Sequence, residues 1–404
     1  MLTLVNARSA AAESGGVGTA SSGRSPRIAL FSGNYNYVRD GANGALNRLV
    51  MHLEARGAAV RVYSPTSQTP AFEPAGTLVS VPSIRLPGRA EYRLGLGLPA
   101  GVRRDVLRFE PDLVHVSAPD WTGVAAQKLA CAMRVPIVAS LHTRFETYAD
   151  FYGAGMVRPA MERHLHRFYA RSDRVLVPTR AIAADFADQG LADRTGLWSR
   201  GVDRRQFDPA RRDEDWRARL GLADGACVVL FFGRLVREKG LSDYADIIDR
   251  LTASGVDVTP LVVGEGPERA WLERRLPSAR LLGHLSGDAL GRAIASADIF
   301  LNPSVTEAFG NVTLEAMASG LATVSVDVPS ARALLGKTCG ILYPRGDMDE
   351  ATGAVALYAM FPERRRAVGR RAREASAGYS WARASEMVWD TYVELLAGQG
   401  RGNG

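Results

Sequence analysis

The amino-acid sequence predicts an α/β protein of two domains, each with a parallel sheet covered by helices. Three observations support this prediction. Short apolar runs typical of buried parallel strands alternate with segments of helical spacing. That alternation restarts near the middle of the chain, where 227–232 reads as a new buried strand. The 404 residues also suffice for two domains of ordinary size.

The first domain opens with a strand at 27–31, a loop containing Gly41 and Gly44, and a helix with apolar residues at helical spacing. This order is typical of the start of a nucleotide-binding α/β layer. The G-x-G-x-x-G fingerprint of dinucleotide-binding proteins is absent. Glycines that serve only the turn explain the loop equally well.

Later strands of this half are predicted at 60–63, 113–116, 136–141 and 174–179, and helices at 123–133 and 157–172. The helix at 157–172 has a basic face, a candidate for contact with phosphate or membrane. His142 directly follows a predicted parallel strand, at the sheet edge where α/β proteins bind ligands. A purely structural histidine is the alternative.

The segment after the second strand is expected to be irregular, because five prolines lie between residues 65 and 87. From Arg85 to Arg108, arginines are interleaved with apolar side chains. That mixture suits an anionic lipid surface. The alternative is a solvated helix face whose back packs on the core.

The composition limits the ligands and the cellular compartment that we expect for this protein. The net charge of +7 comes mostly from Arg and fits an anionic ligand or membrane, or only an Arg-rich composition. Cys131, Cys227 and Cys339 match neither a metal spacing nor a disulfide framework, so we expect a reducing cytoplasm. No apolar run is long enough for a transmembrane helix. Residues 1–26 lack the apolar stretch of a secretory signal and are expected to be a disordered tail.

The second domain is predicted to span 198–380, after a first domain at 27–197. Its first strand leads into Gly233-Arg234, and Lys239 follows at the start of a helix. The run 264–267 is too short for a dinucleotide loop, although the nucleobase is expected near it. A strand at 322–326 is expected to close the sheet. A helix at 381–396 is expected to end the ordered chain, leaving 397–404 loose.

The stretch 297–320 reads as a buried strand, a polar loop with Glu307 and a helix that contains Glu315. The helix begins at Gly310 and Asn311, so free N–H groups and the positive dipole end lie between the carboxylates, which suits a phosphate. The pattern predicts a diphosphate flanked by hydroxyl-rich groups, as in a nucleotide sugar. An ordinary strand–loop–helix with solvent-facing acids is the alternative.

Together, Glu307-x7-Glu315, Gly233-Arg234 with Lys239, and His142 resemble retaining GT-B glycosyltransferases of family GT4. The similarity covers nearly all of 27–396. It is most specific for the branch of sulfoquinovosyldiacylglycerol synthases and GDP-mannose-dependent lipid mannosyltransferases. The motifs that indicate this branch are 142–145, Tyr148, Tyr152-Gly153, 198–203 and 302–315. The resemblance implies two Rossmann-like domains facing across a cleft, and a C-terminal helix that crosses back to the N-terminal domain.

The resemblance also implies a catalytic set. Arg234 and Lys239 would clamp the donor diphosphate and stabilise the departing nucleotide. Glu307 would hold hydroxyls of the donor sugar, His142 would face that sugar from the other domain, and Glu315 would bind the ribose. The other implied donor contacts come from small residues or backbone N–H groups: Gly41, Gly44, Gly233, Phe309, Gly310, Asn311, Val312 and Thr313.

The implied reaction is retaining front-face substitution, in which the leaving phosphate takes the acceptor proton. No Asp-x-Asp motif is evident at a strand end, so we expect no metal and no cofactor. Two departures from the family pattern leave details open. Asp40-Gly41-Ala42-Asn43-Gly44 lacks the usual Gly-Gly pair, and Ala308 stands where Thr is common.

The sequence therefore predicts a glycosyltransferase that moves a hexose from a UDP- or GDP-sugar to a membrane glycolipid or lipid-linked acceptor. We expect it at the inner face of the cytoplasmic membrane, on anionic lipid. A soluble sugar or small metabolite as acceptor is the alternative. A sugar-nucleotide epimerase, a GT-B phosphorylase and a non-catalytic binding module fit the motifs less well. Nucleic-acid binding is not expected, because the basic residues are dispersed.

Overall fold

The structure is a computed structural model that describes residues 24–37, 41–86, 89–144 and 155–401. Several expectations fall on other residues. Most of the expected N-terminal tail, together with Asp40, Phe145, Tyr148 and Tyr152-Gly153, lies outside the described residues.

The first half of the chain forms a seven-stranded parallel sheet of order β3-β2-β1-β6-β7-β8-β9, and a separate antiparallel hairpin, β4–β5. The strands are β1 (Arg27–Phe31), β2 (Ala59–Ser64), β3 (Thr77–Ser80), β4 (Ser83–Leu86), β5 (Arg89–Gly95), β6 (Leu113–Val116), β7 (Ile137–Ser140), β8 (Arg174–Val177) and β9 (Thr195–Leu197). The helices are α1 (Gly41–Ala55), α2 (Ala100–Phe109), α3 (Trp121–Met133), α4 (Arg158–Ala170) and α5 (Arg180–Asp188).

The second half forms a six-stranded parallel sheet of order β12-β11-β10-β13-β14-β15. Its strands are β10 (Val228–Phe232), β11 (Thr259–Val263), β12 (Arg280–Leu281), β13 (Ile299–Asn302), β14 (Ala322–Val326) and β15 (Gly340–Tyr343). The helices are α6 (Glu214–Arg219), α7 (Leu241–Ala253), α8 (Arg269–Arg275), α9 (Gly287–Ala295), α10 (Asn311–Ala318), α11 (Pro329–Leu335), α12 (Met348–Met360), α13 (Pro362–Ser376) and α14 (Trp381–Arg401).

The central strands of both sheets are buried along their whole length, as expected where helices cover both faces. In the second sheet, Leu230 of β10 pairs with Leu261 of β11 on one side and with Phe300 of β13 on the other. The chain order reverses at this point. Open α/β sheets bind ligands in the crevice beyond the carboxyl ends of such strands. We therefore expect a ligand-binding site at the loops after β10 and β13.

The C-terminal helix α14 returns to the first domain, which confirms the expected GT-B arrangement of two Rossmann-like domains. Val388 and Tyr392 of α14 are fully buried in one cluster with Leu49 of α1. At the rim of this contact, the Nε2 atom of His52 lies 2.8 Å from the Oε2 atom of Glu386. The helix thus completes the core of the first domain with residues from the far end of the chain.

The chain passes between the domains twice, near Val202 and near Tyr379, and these two segments contact each other. The backbone N–H of Val202 donates to the Tyr379 carbonyl at 3.2 Å. Beside it, a Cβ atom at Gly201 would lie only 2.1 Å from the backbone nitrogen of Trp381. Only glycine permits so close an approach. The hinge of the molecule is therefore a tight contact between two backbone segments.

The expectation of an irregular segment at 65–108 is wrong, because this segment contains β3, the β4–β5 hairpin and α2. The prolines lie between or before the elements: Pro82 separates two strands, and Pro99 precedes the first residue of α2. Val102 and Val106 of α2 are buried while Arg103 and Arg104 are exposed. For this helix the alternative interpretation, a solvated face with its back on the core, is correct.

Three further boundaries differ from expectation. Gly41 and Gly44 lie in the first turns of α1 and not in a loop. The strand at 322–326 does not close the second sheet, because the four-residue strand β15 pairs beyond it. The last helix continues past Leu396 to Arg401. Once packing has fixed a helix, each further residue adds one backbone hydrogen bond. The helix therefore continues beyond the residues that pack on the first domain.

Gly201→Ala should destabilise the protein, because the added methyl group collides with the Trp381 backbone. Overpacking of this kind costs roughly 1–3 kcal/mol. For domains of this size we expect the thermal midpoint to fall by about 2–10 °C in differential scanning fluorimetry. Gly353→Ala in α12 is the matched control, since no atom lies within 4 Å of its added Cβ. Equal midpoints for the two variants would contradict the tight hinge.

Candidate active site

Two loops of the second domain touch through their backbones at the carboxyl end of the sheet. Gly233 follows β10 with a φ of +146°, and Gly264 follows β11 with a φ of +147°. A Cβ atom at Gly264 would lie 1.8 Å from the Gly233 carbonyl oxygen, and one at Gly266 would lie 2.3 Å from the Leu235 carbonyl oxygen. The glycines at 264 and 266 thus serve close loop packing.

Lys239 and Glu307, predicted from separate motifs, meet at this edge. The Lys239 ammonium donates to the Glu307 carboxylate at 2.5 Å, and both side chains are largely buried. Lys239 ends a 3-10 turn, Arg237–Lys239, before α7, while Glu307 lies in the loop between β13 and α10. A partly dehydrated ion pair of this kind holds both groups in one geometry. An entering phosphate would compete with Glu307 for the ammonium.

The second predicted cation, Arg234, lies in the loop after β10, five residues before Lys239. Its Nη2 atom is 3.6 Å from the Oε1 atom of Glu238, which is buried in the turn. The Glu238 carbonyl accepts from the Thr306 hydroxyl at 3.4 Å, next to Glu307. Buried Glu238 therefore links the basic turn to the loop that carries Glu307, and sequence reasoning did not single it out.

The start of α10 is a glycine-led helix N-terminus in which, among the described residues, no side chain caps the backbone N–H groups. Gly310 has a φ of +95° and precedes the first helical residue, Asn311. Behind it, Asn302 at the end of β13 donates to the Thr313 hydroxyl at 3.1 Å, and Thr313 is buried. Phe309 is also buried and its ring contacts Tyr379. The side chains of Phe309 and Thr313 thus hold the helix end in place.

Glu315, one turn into α10, has a perturbed carboxyl group. Burial raises its pKa to about 8, and the positive charge of Arg48 in α1 only partly offsets this effect. Arg48 itself lies over the Trp381 ring, 4.8 Å from its centroid. The ligand-free carboxyl group is therefore mostly protonated at neutral pH.

The first domain reaches the same site through the start of α1. A Cβ atom at Gly41 would lie 2.1 Å from the Asn311 side-chain nitrogen, so the two helix starts are in contact across the cleft. A Cβ at Gly44 would lie 3.6 Å from the Arg48 guanidinium. The structure thus brings Gly41, Asn311 and Glu315 to one place. The neighbour of Gly41 in this cleft is thus the Asn311 side chain, and the donor contact that the resemblance implies for Gly41 stays a prediction.

His142 lies two residues beyond β7, at the expected sheet edge, but its ring is engaged inside the first domain. Its Nε2 atom lies 2.9 Å from the Ser140 hydroxyl, and its Nδ1 atom lies 3.0 Å from the Nη2 atom of Arg200. Burial, the Arg200 charge and His115 together hold the pKa of His142 well below its usual range. Both ring nitrogens therefore have protein partners before any sugar binds.

A small cavity of about 70 Å³ lies between the domains beside Glu307. It is lined from the first domain by Arg144, Thr179 and Ile182, and from the second by 305–308 and 328–330. Ligand pockets are typically about 300–1,000 Å³, so this cavity by itself is too small to hold a nucleotide sugar.

Comparisons with known proteins identify the family. The model described as "Glycosyltransferase Family 4" matches residues 39–206, and "Glycosyl transferases group 1" matches residues 226–359. A GDP-mannose-dependent alpha-mannosyltransferase of Mycolicibacterium smegmatis is 33% identical over 92% of this chain and 98% of its own length. The chain belongs to glycosyltransferase family 4.

Two further relatives match over most of this enzyme. The sulfoquinovosyl transferase SQD2 of Arabidopsis thaliana is 30% identical over 90% of this chain and 72% of its own length. An alpha-monoglucosyldiacylglycerol synthase of Streptococcus pneumoniae is 23% identical over 91% of this chain and 86% of its own length. These relatives confirm the branch that the motifs indicated.

Solved structures support the fold of this family 4 enzyme. A sucrose-phosphate synthase from Thermosynechococcus elongatus superposes with a TM-score of 0.75 over 92% of this chain and all of that one. Its sequence identity is only 19%, so the likeness concerns the GT-B fold alone.

Glu315→Gln should change how the stability of this glycosyltransferase depends on pH. A raised carboxyl pKa stabilises the folded state below the unfolded value near 4.5, and that contribution is lost as pH rises through about 8. Glutamine cannot lose a proton. In thermal unfolding of the ligand-free enzyme, the midpoint of the variant relative to wild type should therefore rise between pH 5 and pH 9. The control, Glu363→Gln, alters an exposed residue, so its thermal midpoint should follow pH in parallel with that of wild type. A parallel profile for Glu315→Gln would contradict the burial of its carboxyl group.

Proposed function

We propose that this enzyme transfers a hexose-type sugar from a UDP- or GDP-linked donor to a membrane glycolipid or lipid-linked acceptor. Anomeric configuration is retained and no metal ion is required. The observation that carries the proposal is the contact of Lys239 with Glu307 in the loops beside the start of α10. A phosphate-binding cation, a carboxylate for sugar hydroxyls and free helix N–H groups thus share one crevice.

The donor diphosphate would lie against the start of α10, with Lys239 and Arg234 as its cations. Positive charge at this place stabilises the nucleoside diphosphate as the glycosidic bond breaks, which is a transition-state effect. The same charge would otherwise come from a divalent ion. The two cations and the helix N-terminus support metal-independent turnover, and Glu315 is the residue proposed for the ribose.

The proposed transfer is a front-face substitution through an oxocarbenium-like state. The leaving phosphate accepts the proton of the acceptor hydroxyl on the same face of the sugar, so retention follows. Glycosidases use two carboxyl groups for acid and base catalysis. Here Glu307 is paired with Lys239, which suits binding of sugar hydroxyls better than proton transfer.

The surface of the first domain supports a membrane acceptor. Trp121 at the start of α3 is 59% exposed and Met156 before α4 is 98% exposed. Gly97, which follows exposed Leu96, lies next to the Trp121 backbone. Arg158, Arg163 and Arg167 of α4 are exposed as well. Exposed basic and apolar side chains of this kind fit an anionic lipid surface.

The lipid acceptor is also consistent with a relative named as a monoglucosyldiacylglycerol synthase. In the described part of this chain, no helix has the length and apolarity to cross a membrane. On the exposed basic and apolar surface of the first domain we base the proposal of peripheral attachment at the cytoplasmic face, with the acceptor taken from the bilayer by the first domain.

A donor screen by nucleotide release tests the reaction. UDP- and GDP-sugars are offered with lipid extracts or with soluble sugars as acceptors, in excess EDTA. One donor should work with lipid, and the product should be the α-anomer if the donor is α-linked. Lys239→Met and Glu307→Gln should each lower the rate by roughly 10²-fold or more, as removal of a transition-state contact does.

Arg237→Met is the matched control for that screen, because Arg237 lies in the same turn, is exposed and pairs only with Glu268 in the hydrogen bonds described. It should keep the wild-type rate. Full activity in Lys239→Met would overturn the site assignment. Loss in EDTA that Mg²⁺ restores would overturn metal independence, and turnover with soluble acceptors alone would overturn the lipid acceptor.

Vesicle co-sedimentation tests the proposed attachment. Wild-type enzyme should sediment with phosphatidylglycerol vesicles and less so as salt rises, because screening weakens the attraction of the basic surface. Trp121→Ala with Met156→Ala should lose most of this binding. Met360→Ala with Phe361→Ala removes exposed apolar groups of the second domain and serves as the control. Equal binding to neutral phosphatidylcholine vesicles would argue against attachment to anionic lipid.

A further inference from the structure

A continuous row of buried polar groups joins the C-terminal helix to the interdomain linker. The Tyr392 hydroxyl contacts the Nδ1 atom of His115, and the Nε2 atom of His115 lies 2.7 Å from the Ser140 hydroxyl. That hydroxyl lies 2.9 Å from the Nε2 atom of His142. The Nδ1 atom of His142 then lies 3.0 Å from the Nη2 atom of Arg200. Helix α14, strands β6 and β7, and the linker before Gly201 all take part.

The chemistry of arginine determines which atom donates and which accepts in the hydrogen bond between Arg200 and His142. A guanidinium only donates hydrogen bonds, so the Nδ1 atom of His142 must accept. In a neutral ring the proton is then on Nε2, which donates to the Ser140 hydroxyl. Ser140 can then donate to the Nε2 atom of His115, with His115 donating from Nδ1 to Tyr392, or it can accept from both rings while the Tyr392 hydroxyl donates to His115. Both arrangements satisfy every contact, and both place the proton of His142 on Nε2.

A proton on the Nδ1 atom of His142 would face the guanidinium N–H group and break this order. Arg200 is only 4% exposed, and no carboxylate pairs with it among the described residues. Its other partners are the carbonyl oxygens of Trp198 at 2.8 Å and of Ser199 at 3.3 Å, and the Trp198 ring. Burial lowers the pKa of Arg200 to about 10, so it stays charged at neutral pH.

The groups around His142 all disfavour an imidazolium. Among the described residues, the titratable or charged groups near its ring are Arg200 from the linker and His115 from β6, with Tyr392 of α14 beyond His115. None of these groups is a carboxylic acid that could stabilise a positively charged ring, and the Arg200 guanidinium repels one. The ring of Trp198 packs against His142 edge-on, with centroids 5.1 Å apart.

We infer that Arg200 is a positioning residue that holds His142 as the neutral tautomer protonated on Nε2. The catalytic consequence of this tautomer rests on the proposed function. During sugar transfer, an oxocarbenium-like sugar beside His142 would face a neutral ring and not a second cation. Because Arg200 precedes the hinge glycine Gly201 and the row ends on α14, the ring is held by both crossings between the domains.

Nuclear magnetic resonance of ¹⁵N-histidine-labelled, ligand-free enzyme tests the tautomer directly, with His142→Gln to assign the signals. In wild type, His142 should show a protonated Nε2 and an unprotonated Nδ1 from pH 8 down to pH 5.5. Arg200→Met removes both the donor and the charge. Its His142 should then titrate at a pH higher by about one unit or more, as expected when a like charge a few ångströms away is removed.

Activity of the same variants supplies a second readout. In Arg200→Met, kcat should fall by up to about tenfold per pH unit below the new pKa, while wild type stays level there. Arg200→Lys, which keeps a donor-only cation, should restore the neutral ring at least in part. Arg204→Met, an exposed arginine of the same linker, is the matched control and should change neither spectrum nor profile.

If Arg200→Met does not fold, the Ser140→Ala variant tests the tautomer of His142 instead. With Arg200 still present, His142 should keep its proton on Nε2, while the His115 signals change. A shift of the proton to Nδ1 in Ser140→Ala would overturn the inference. So would a wild-type His142 that titrates near 6.5, or an Arg200→Met variant with unchanged His142 signals. Because the spectra need no substrate, a correct tautomer without sugar transfer would overturn only the proposed function.

Discussion

The arrangement of this enzyme depends on a contact between two backbone segments at the hinge. Gly201 lies so close to Ser380 and Trp381 that a side chain has no room, and Val202 is hydrogen-bonded to Tyr379 there. The close approach sends α14 back onto α1, where Tyr392 completes the core of the first domain. It also places Arg200 against His142. One contact thus sets both the relation of the domains and the surroundings of a candidate catalytic histidine.

Charge in the cleft is held by neighbours in a consistent way. Lys239 is paired with Glu307, Arg234 lies beside buried Glu238, and Arg200 is bound by carbonyl oxygens and His142. In a low-dielectric crevice an unpaired charge is costly, so each cation needs such a partner before substrate arrives. A diphosphate would replace part of this internal pairing, which ties donor binding to rearrangement in the loops around Glu307.

Much of the fold was predictable, because buried parallel strands have a distinct apolar pattern and the helices between them have helical spacing. The errors concern elements for which that pattern is weak. Strand β3 lies at the sheet edge and has no buried residue, the β4–β5 hairpin lies outside the main sheet, and prolines dominate the segment. Strand β15 is also an edge strand, and three of its four residues are only partly buried. Gly41 reads as a loop residue, yet it begins α1, where its neighbour across the cleft is the Asn311 side chain.

The sequence by itself determined the fold class, the family and the candidate residues of the donor site, because strand periodicity and motifs such as Glu307-x7-Glu315 are local in the chain. Only the tertiary structure decided which of them meet. Lys239 pairs with Glu307 across 68 positions, and Arg200 reaches His142 across 58. The charge states of Glu315 and His142 follow from burial and from partners in other elements. No local pattern encodes these properties, since desolvation and Coulomb interactions act through space.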